Sequence, residues 1–167
     1  MKDTEGVPKR MKANRAAEAT GTGRAILHRL AREAAWAPAA VLVLHAAAGA
    51  LFGHEPYVDP IMHLLGGAAA AFFFRRAGSA AASFLGALTE PALDLLSFGL
   101  TCAIALGWEF SEFVVDHIFG TNVQLSLGNT MRDLFLGVTG ALLYLTTRGA
   151  LDARRRYSSS RMDRWSK

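Results

Sequence analysis

Lysine and arginine are almost missing from the middle of this sequence, and cysteine is almost missing from all of it. Cys102 is the single cysteine, which excludes an intramolecular disulfide and a cysteine-based metal knuckle. It lies inside an apolar run and reads as a small buried hydrophobe. No HExxH, CxxC, GxSxG or Walker loop occurs, so the commonest metalloprotease, redox, serine-hydrolase and nucleotide-binding signatures are absent. The pI near 9.6 is accompanied by no nucleic-acid motif, and no nucleic-acid partner is expected. The first 34 residues are rich in charge and contain no apolar core, so no signal peptide is expected there.

What the chain does have is length for one domain, 167 residues, and 51% hydrophobic residues segregated from its charges. Long Ala, Leu, Gly and Phe runs lie between basic ends. This segregation points to an all-α integral membrane protein, with the lipid bilayer as its solvent and anionic lipids as partners of its basic tails. Residues 1–34 read as a cytoplasmic tail, with "RAILHRLAREA" (24–34) as a short basic amphipathic helix on the membrane surface. Four spans forming a transmembrane domain over 35–147 are expected, at about 35–53, 60–74, 92–111 and 130–147, in a bundle. Residues 148–167 read as a second basic cytoplasmic tail. The uncharged stretch 77–89 is too short for an ordinary span and reads as a surface or re-entrant helix, or as a fifth crossing.

Charge asymmetry arbitrates. With four spans, both tails and the 75–90 connector share one side, and all but one of the 18 Lys and Arg fall there, Arg132 being the exception. The positive-inside rule then favours four spans in a bacterial cytoplasmic membrane with both termini inside.

In that topology one membrane face collects most of the chemistry. Asp59 and His63 open the second span at spacing four. Glu109, Glu112 and Asp116 end the third at spacings three and four, on one helical face. Asp133 lies at the start of the fourth. Bland readings stand beside each. Asp59 with Pro60 suits a helix cap, His63 a packed histidine, and Thr130 with Asp133 a capping box. Glu112 and Asp116 suit a solvated loop, and Gln124 and Asn129 suit turn hydrogen bonds or amide ligands. His45 reads as an interhelical contact, His54 and His117 as exposed, and Glu90 and Asp94 as the acidic start of the third helix. Gly66, Gly67, Gly137 and Gly140 suit close helix packing. The acidic triplet is the harder feature to dismiss. Each like-charge pair costs about 0.2–0.5 kcal/mol in an isolated helix, and the nearby helix C-terminus disfavours negative charge. A bound cation, a basic partner such as Arg132, or protonation would offset it.

The stretches "DPIMHLLGG" (59–67), "WEFSEFVVDHIFGT" (108–121), "VQLSL" (123–127) and "NTMRDLFLGVTGALL" (129–143) resemble the YjdF-like bacterial inner-membrane proteins of unknown function and, more distantly, VanZ-like membrane proteins. The resemblance covers about residues 55–145. It implies motif positions at Asp59, His63, Trp108, Glu109, Glu112, Asp116, Gln124, Asp133 and Gly137. Pro60 stands where a basic residue is frequent in the pattern, and Asn129 where an aspartate is common. The resemblance implies no reaction.

Three functions stay open. One is a non-catalytic membrane protein whose cluster of Asp59, His63, Glu109, Glu112, Asp116, Gln124 and Asp133 binds a cation or a lipid headgroup. The second is a membrane hydrolase of a lipid or lipid-linked envelope substrate, with Glu109 as base. The third is an ion- or proton-coupled transporter component, which with so few spans requires a homo-oligomer. If a metal binds, His63, Glu109, Asp116 and Asp133 are its expected ligands, and Mg, Mn or Zn suits such a donor set.

Overall fold

The computed structural model describes residues 23–52, 57–82 and 86–165. Five helices, and no strand, occur among the described residues: α1 (Gly23–Glu33), α2 (Trp36–Phe52), α3 (Val58–Ala80), α4 (Glu90–Phe119) and α5 (Leu127–Trp165). The helix expected over 24–34 is present as α1. His54 and residues 1–22 lie outside the described residues.

Two helices, α4 and α5, are long and apolar enough to cross a membrane, or three when α1 and α2 count as one span bent by 49°. This corrects the expectation of four. The bend falls just before Pro38, which lacks an N–H and whose ring crowds the carbonyl four residues back. At 17 residues, α2 alone is about 26 Å long, short of the about 30 Å hydrocarbon core. In α3 the apolar stretch between Asp59 and Arg75 is too short for a full span, and the charges that bound it lower the hydropathy of the helix. It compensates by position, for α3 packs against α2, α4 and α5.

Other boundaries moved as well. Over 77–89, α3 runs on to Ala80, a turn follows at Ala81, and 86–89 are irregular; 83–85 lie outside the described residues. Residues from Arg148 onward continue α5 as helix. α3 begins at Val58, with Tyr57 at the cap position and Asp59 in the first turn. The Thr130–Asp133 capping box does not form, because α5 starts one turn earlier. Ser126 caps it instead, its hydroxyl accepting from the Asn129 N–H at 3.1 Å.

The packing is inverted relative to a water-soluble bundle. The buried apolar residues are mostly small, with Ala69, Ala71 and Ala141 among them, while large ones such as Leu95, Ile104, Phe113 and Phe135 are exposed. Small residues at helix interfaces and large ones facing outward are the pattern of helices dissolved in lipid. The α3–α5 contact depends on it most. A Cβ at Gly67 would overlap the Gly137 carbonyl, and one at Gly140 would overlap the Leu64 carbonyl. The two backbones therefore touch. On α4 the buried residues Leu93, Ser97, Thr101 and Glu109 recur at multiples of four and make one inward stripe. The Ser97 and Thr101 hydroxyls are satisfied by donating to the carbonyls of Leu93 and Ser97, at 2.7 and 2.8 Å.

Gly67→Ala and Gly140→Ala are each expected to destabilise the bundle by about 1–3 kcal/mol through overpacking. Gly99→Ala meets open space and is expected to leave stability unchanged or raised. Thermal unfolding of the three variants in detergent checks this.

Candidate functional site

Helix direction sorts the ionisable residues into two groups at opposite ends of the bundle. At one end, Arg75 of α3 pairs with Glu90 and Asp94 of α4, the latter at 3.1 Å. Arg148 of α5 pairs with Glu90 at 2.6 Å, Asp94 at 3.2 Å and Asp152 at 2.6 Å. Glu90 and Asp94 thus do more than start a helix: they tie three helices together. Arg75 is buried, so this is a desolvated pairing whose value lies in fixing which helix faces which. Spacing alone gave no sign of this network. The signal that could have found it is the Arg75-Arg76 pair of α3 between an apolar run and an acidic helix start.

At the other end the predicted cluster assembles in part. Asp59 and His63 come from the first turns of α3, Glu109 and Glu112 from α4, and Asn129, Arg132 and Asp133 from the start of α5. His63 stands between two carboxylates, with Nε2 3.4 Å from Asp59 Oδ1 and Nδ1 3.7 Å from Glu109 Oε1. Donor atoms of Asp59, His63 and Asp133 all lie within 4.8 Å of one another, a spacing compatible with one cation. Asp133 is fully buried. Its carboxylate accepts from Arg132 Nε at 2.9 Å and from the Asn129 side-chain amide. Arg132 also reaches Asp59, at 3.4 Å. Arg132 is therefore the basic partner, as expected, and Asn129 is a direct support of Asp133.

Glu109 is 3% exposed, and its Oε1 accepts no hydrogen bond among the described residues. An unpaired carboxylate oxygen away from water is costly. It faces His63 and so the cluster. Glu112 stands one turn further along α4 and accepts from Trp108 Nε1 at 2.7 Å. Trp108 in turn meets His45 of α2 edge-on, with ring centres 5.9 Å apart, so His45 makes an aromatic contact rather than an interhelical hydrogen bond. Gln124 donates to the Thr130 hydroxyl at 2.8 Å, at the edge of the group.

Asp116 lies elsewhere. Its carboxylate accepts from the Thr121 hydroxyl at 2.6 Å, the Val123 N–H at 2.7 Å and the Gln124 N–H at 2.8 Å. Gly120, in the left-handed conformation at φ 65°, ends α4 and turns the chain back over this carboxylate, and its N–H donates to the Asp116 carbonyl. Asp116 thus organises the α4–α5 loop. Of the four expected metal ligands, His63 and Asp133 belong to the group within 4.8 Å, joined by Asp59; Glu109 borders it through His63. His117 is exposed and stacks on Phe113.

These residues fall within the reach of a family whose match to the chain runs from residue 23 to 154, described as predicted membrane protein (DUF2238). The chain belongs to this family. The match agrees with the membrane class read from the sequence. No curated protein and no solved structure matches the chain.

Asp116→Ala is expected to remove three bonds to one carboxylate, each charge-assisted bond being worth about 1.5–3 kcal/mol. Amide hydrogen exchange at Val123 and Gln124 should accelerate while exchange in α3 stays unchanged.

Proposed function

We propose that this DUF2238 protein is a divalent-cation-binding protein of the bacterial cytoplasmic membrane, with both termini inside and the Asp59–His63–Asp133 site toward the outer leaflet. The observation that carries the reading is a buried, unpaired Glu109 oxygen aimed at His63, whose other nitrogen faces Asp59, in a group of donors spaced for one ion. Four carboxylates, those of Asp59, Glu109, Glu112 and Asp133, face one arginine, Arg132, so the group carries surplus negative charge. A divalent ion offsets that surplus where water does not. Arg132 and Asn129 act as supports that hold the carboxylates in orientation, the role outer-shell partners have in metal sites. The mixed imidazole and carboxylate donors suit Mn or Zn, and Mg with retained waters.

The transporter reading has less support. Below the cluster the α3 and α5 backbones meet at Gly67 and Gly137, so no path runs between those two helices there. The hydrolase reading shares the cation site and adds Glu109 as base. Topology rests on charge: the Arg75–Arg148 network lies at the end of the bundle opposite the cluster, and Lys and Arg predominate in the sequence before residue 35 and after residue 147.

Metal analysis of protein purified after exposure to Mn, Zn or Mg is expected to give one bound ion per chain. Asp133→Asn and His63→Ala should weaken binding by about tenfold or more, and added metal should raise the unfolding temperature of the native chain but not of these variants. Absence of stoichiometric metal from the native chain would reject the proposal. In chelator, Glu109→Gln should be more stable than the native chain, because it removes a buried carboxylate one of whose oxygens accepts no hydrogen bond among the described residues; a lower melting temperature there would contradict the account of Glu109.

A further inference from the structure

A cavity of about 230 Å³ lies beside the cluster, between α2, α3, α4 and α5. Its walls are almost wholly apolar, with Val41, Leu42, Met62, Ile104 and Trp108 among them. Leu42, Ile104 and Trp108 are also exposed on the surface of the bundle, so the cavity opens sideways, toward the hydrocarbon of a membrane. Its polar lining is His45, Thr101 and His63, and His63 belongs at the same time to the cation group. One residue therefore joins a lateral apolar slot to an ionic site.

We infer that the site takes a phosphate-bearing membrane lipid, one acyl chain entering the cavity past Ile104 and the phosphate completing the coordination of a cation held by Asp59, His63 and Asp133. The inference rests on the cation reading above and adds the ligand class to it. A phosphate alone would be repelled by the carboxylates, so it requires the metal. Three protein donors leave coordination positions for phosphate oxygens, the usual way a hard divalent ion is shared between protein and phosphate. Arg132 stands beside the cluster with 43% of its side chain exposed; its Nε and Nη2 reach Asp133 and Asp59, which leaves the Nη1 N–H groups for a phosphate oxygen. The cavity supplies what a free phosphate lacks: apolar surface that a chain covers.

Trp108 gives the readout. In a Trp36→Phe, Trp165→Phe background, Trp108 is the single tryptophan. The protein is placed in phosphatidylcholine nanodiscs containing acyl-brominated phosphatidic acid or acyl-brominated phosphatidylcholine, with Mn or with chelator. Bromine quenches tryptophan on contact, so phosphatidic acid is expected to quench Trp108 more than phosphatidylcholine does, only with Mn present. By linkage, phosphatidic acid should raise Mn affinity by the same factor as Mn raises lipid affinity, about 5- to 150-fold. Ala70→Leu and, separately, Val41→Phe narrow the cavity without touching the cluster; either one that folds should keep Mn binding and lose the preference. Asp133→Asn should lose both.

Equal quenching by the two lipids in a protein that binds Mn would overturn this inference and leave the cation reading standing. Failure to bind Mn, Zn or Mg at all would overturn both. An increase in Mn affinity with inorganic phosphate equal to that with phosphatidic acid would assign the phosphate to a free ion and remove the acyl chain's part. A preference that survives chelator, or that phosphatidylethanolamine reproduces, would show the carboxylates holding a headgroup ammonium directly and would equally overturn it.

Discussion

The contact between α3 and α5 sets the terms for the rest of the molecule. Where Gly67 meets the Gly137 carbonyl and Gly140 meets Leu64, two helix backbones approach as closely as main-chain atoms allow. Such an approach has one register, since sliding by a residue would drive a Cβ into a carbonyl. That register brings Asp133 of α5 toward Asp59 and His63 of α3, and fifteen residues further along α5 it brings Arg148 to the same acids as Arg75. Helix α4 then lays its stripe of Leu93, Ser97, Thr101 and Glu109 against the pair.

In a membrane this division of labour has a physical basis. Lipid tails are as apolar as leucine side chains, so burying large hydrophobes between helices gains little. Dispersion contacts between small residues and ionic ties at the ends hold the bundle instead. The two ends differ in kind. Around Arg75 and Arg148 each of three acids has an arginine within 3.2 Å, and the network reads as a clamp. Around His63 the acids outnumber the cations, and one buried oxygen has no hydrogen-bond partner. Where every acid has an arginine beside it no further cation is required, whereas a larger excess of acids beside an apolar slot is where a ligand contributes.

Much of this was readable before any coordinates. The membrane class, the helix α1, the helical bodies of α2 to α5 and the end-on placement of Asp59, His63, Glu109 and Asp133 follow from runs, spacings and charge. Span count was misread because hydropathy and helix length are separate quantities. The run in α3 is helical over its length, yet the charges at Asp59 and Arg75-Arg76 leave it too short to qualify as a span, and α2 is too short without α1. The capping box at Thr130 and Asp133 was misread because a helix start one turn earlier, at Ser126, satisfies the same pattern rule with different residues.

Asp116 and Asp133 mark the boundary between the two kinds of information. Both are acids near the tip of a membrane helix, and a single sequence treats them alike. The chain itself determined that each sits on a helix, near an end, in apolar company, because those properties follow from neighbours within one or two turns. Only the tertiary structure decided that Asp116 turns back to accept three bonds from its own loop while Asp133 is buried beside Asp59 and His63. Which face of a helix meets which depends on the register of a distant glycine contact, and no local periodicity carries that register.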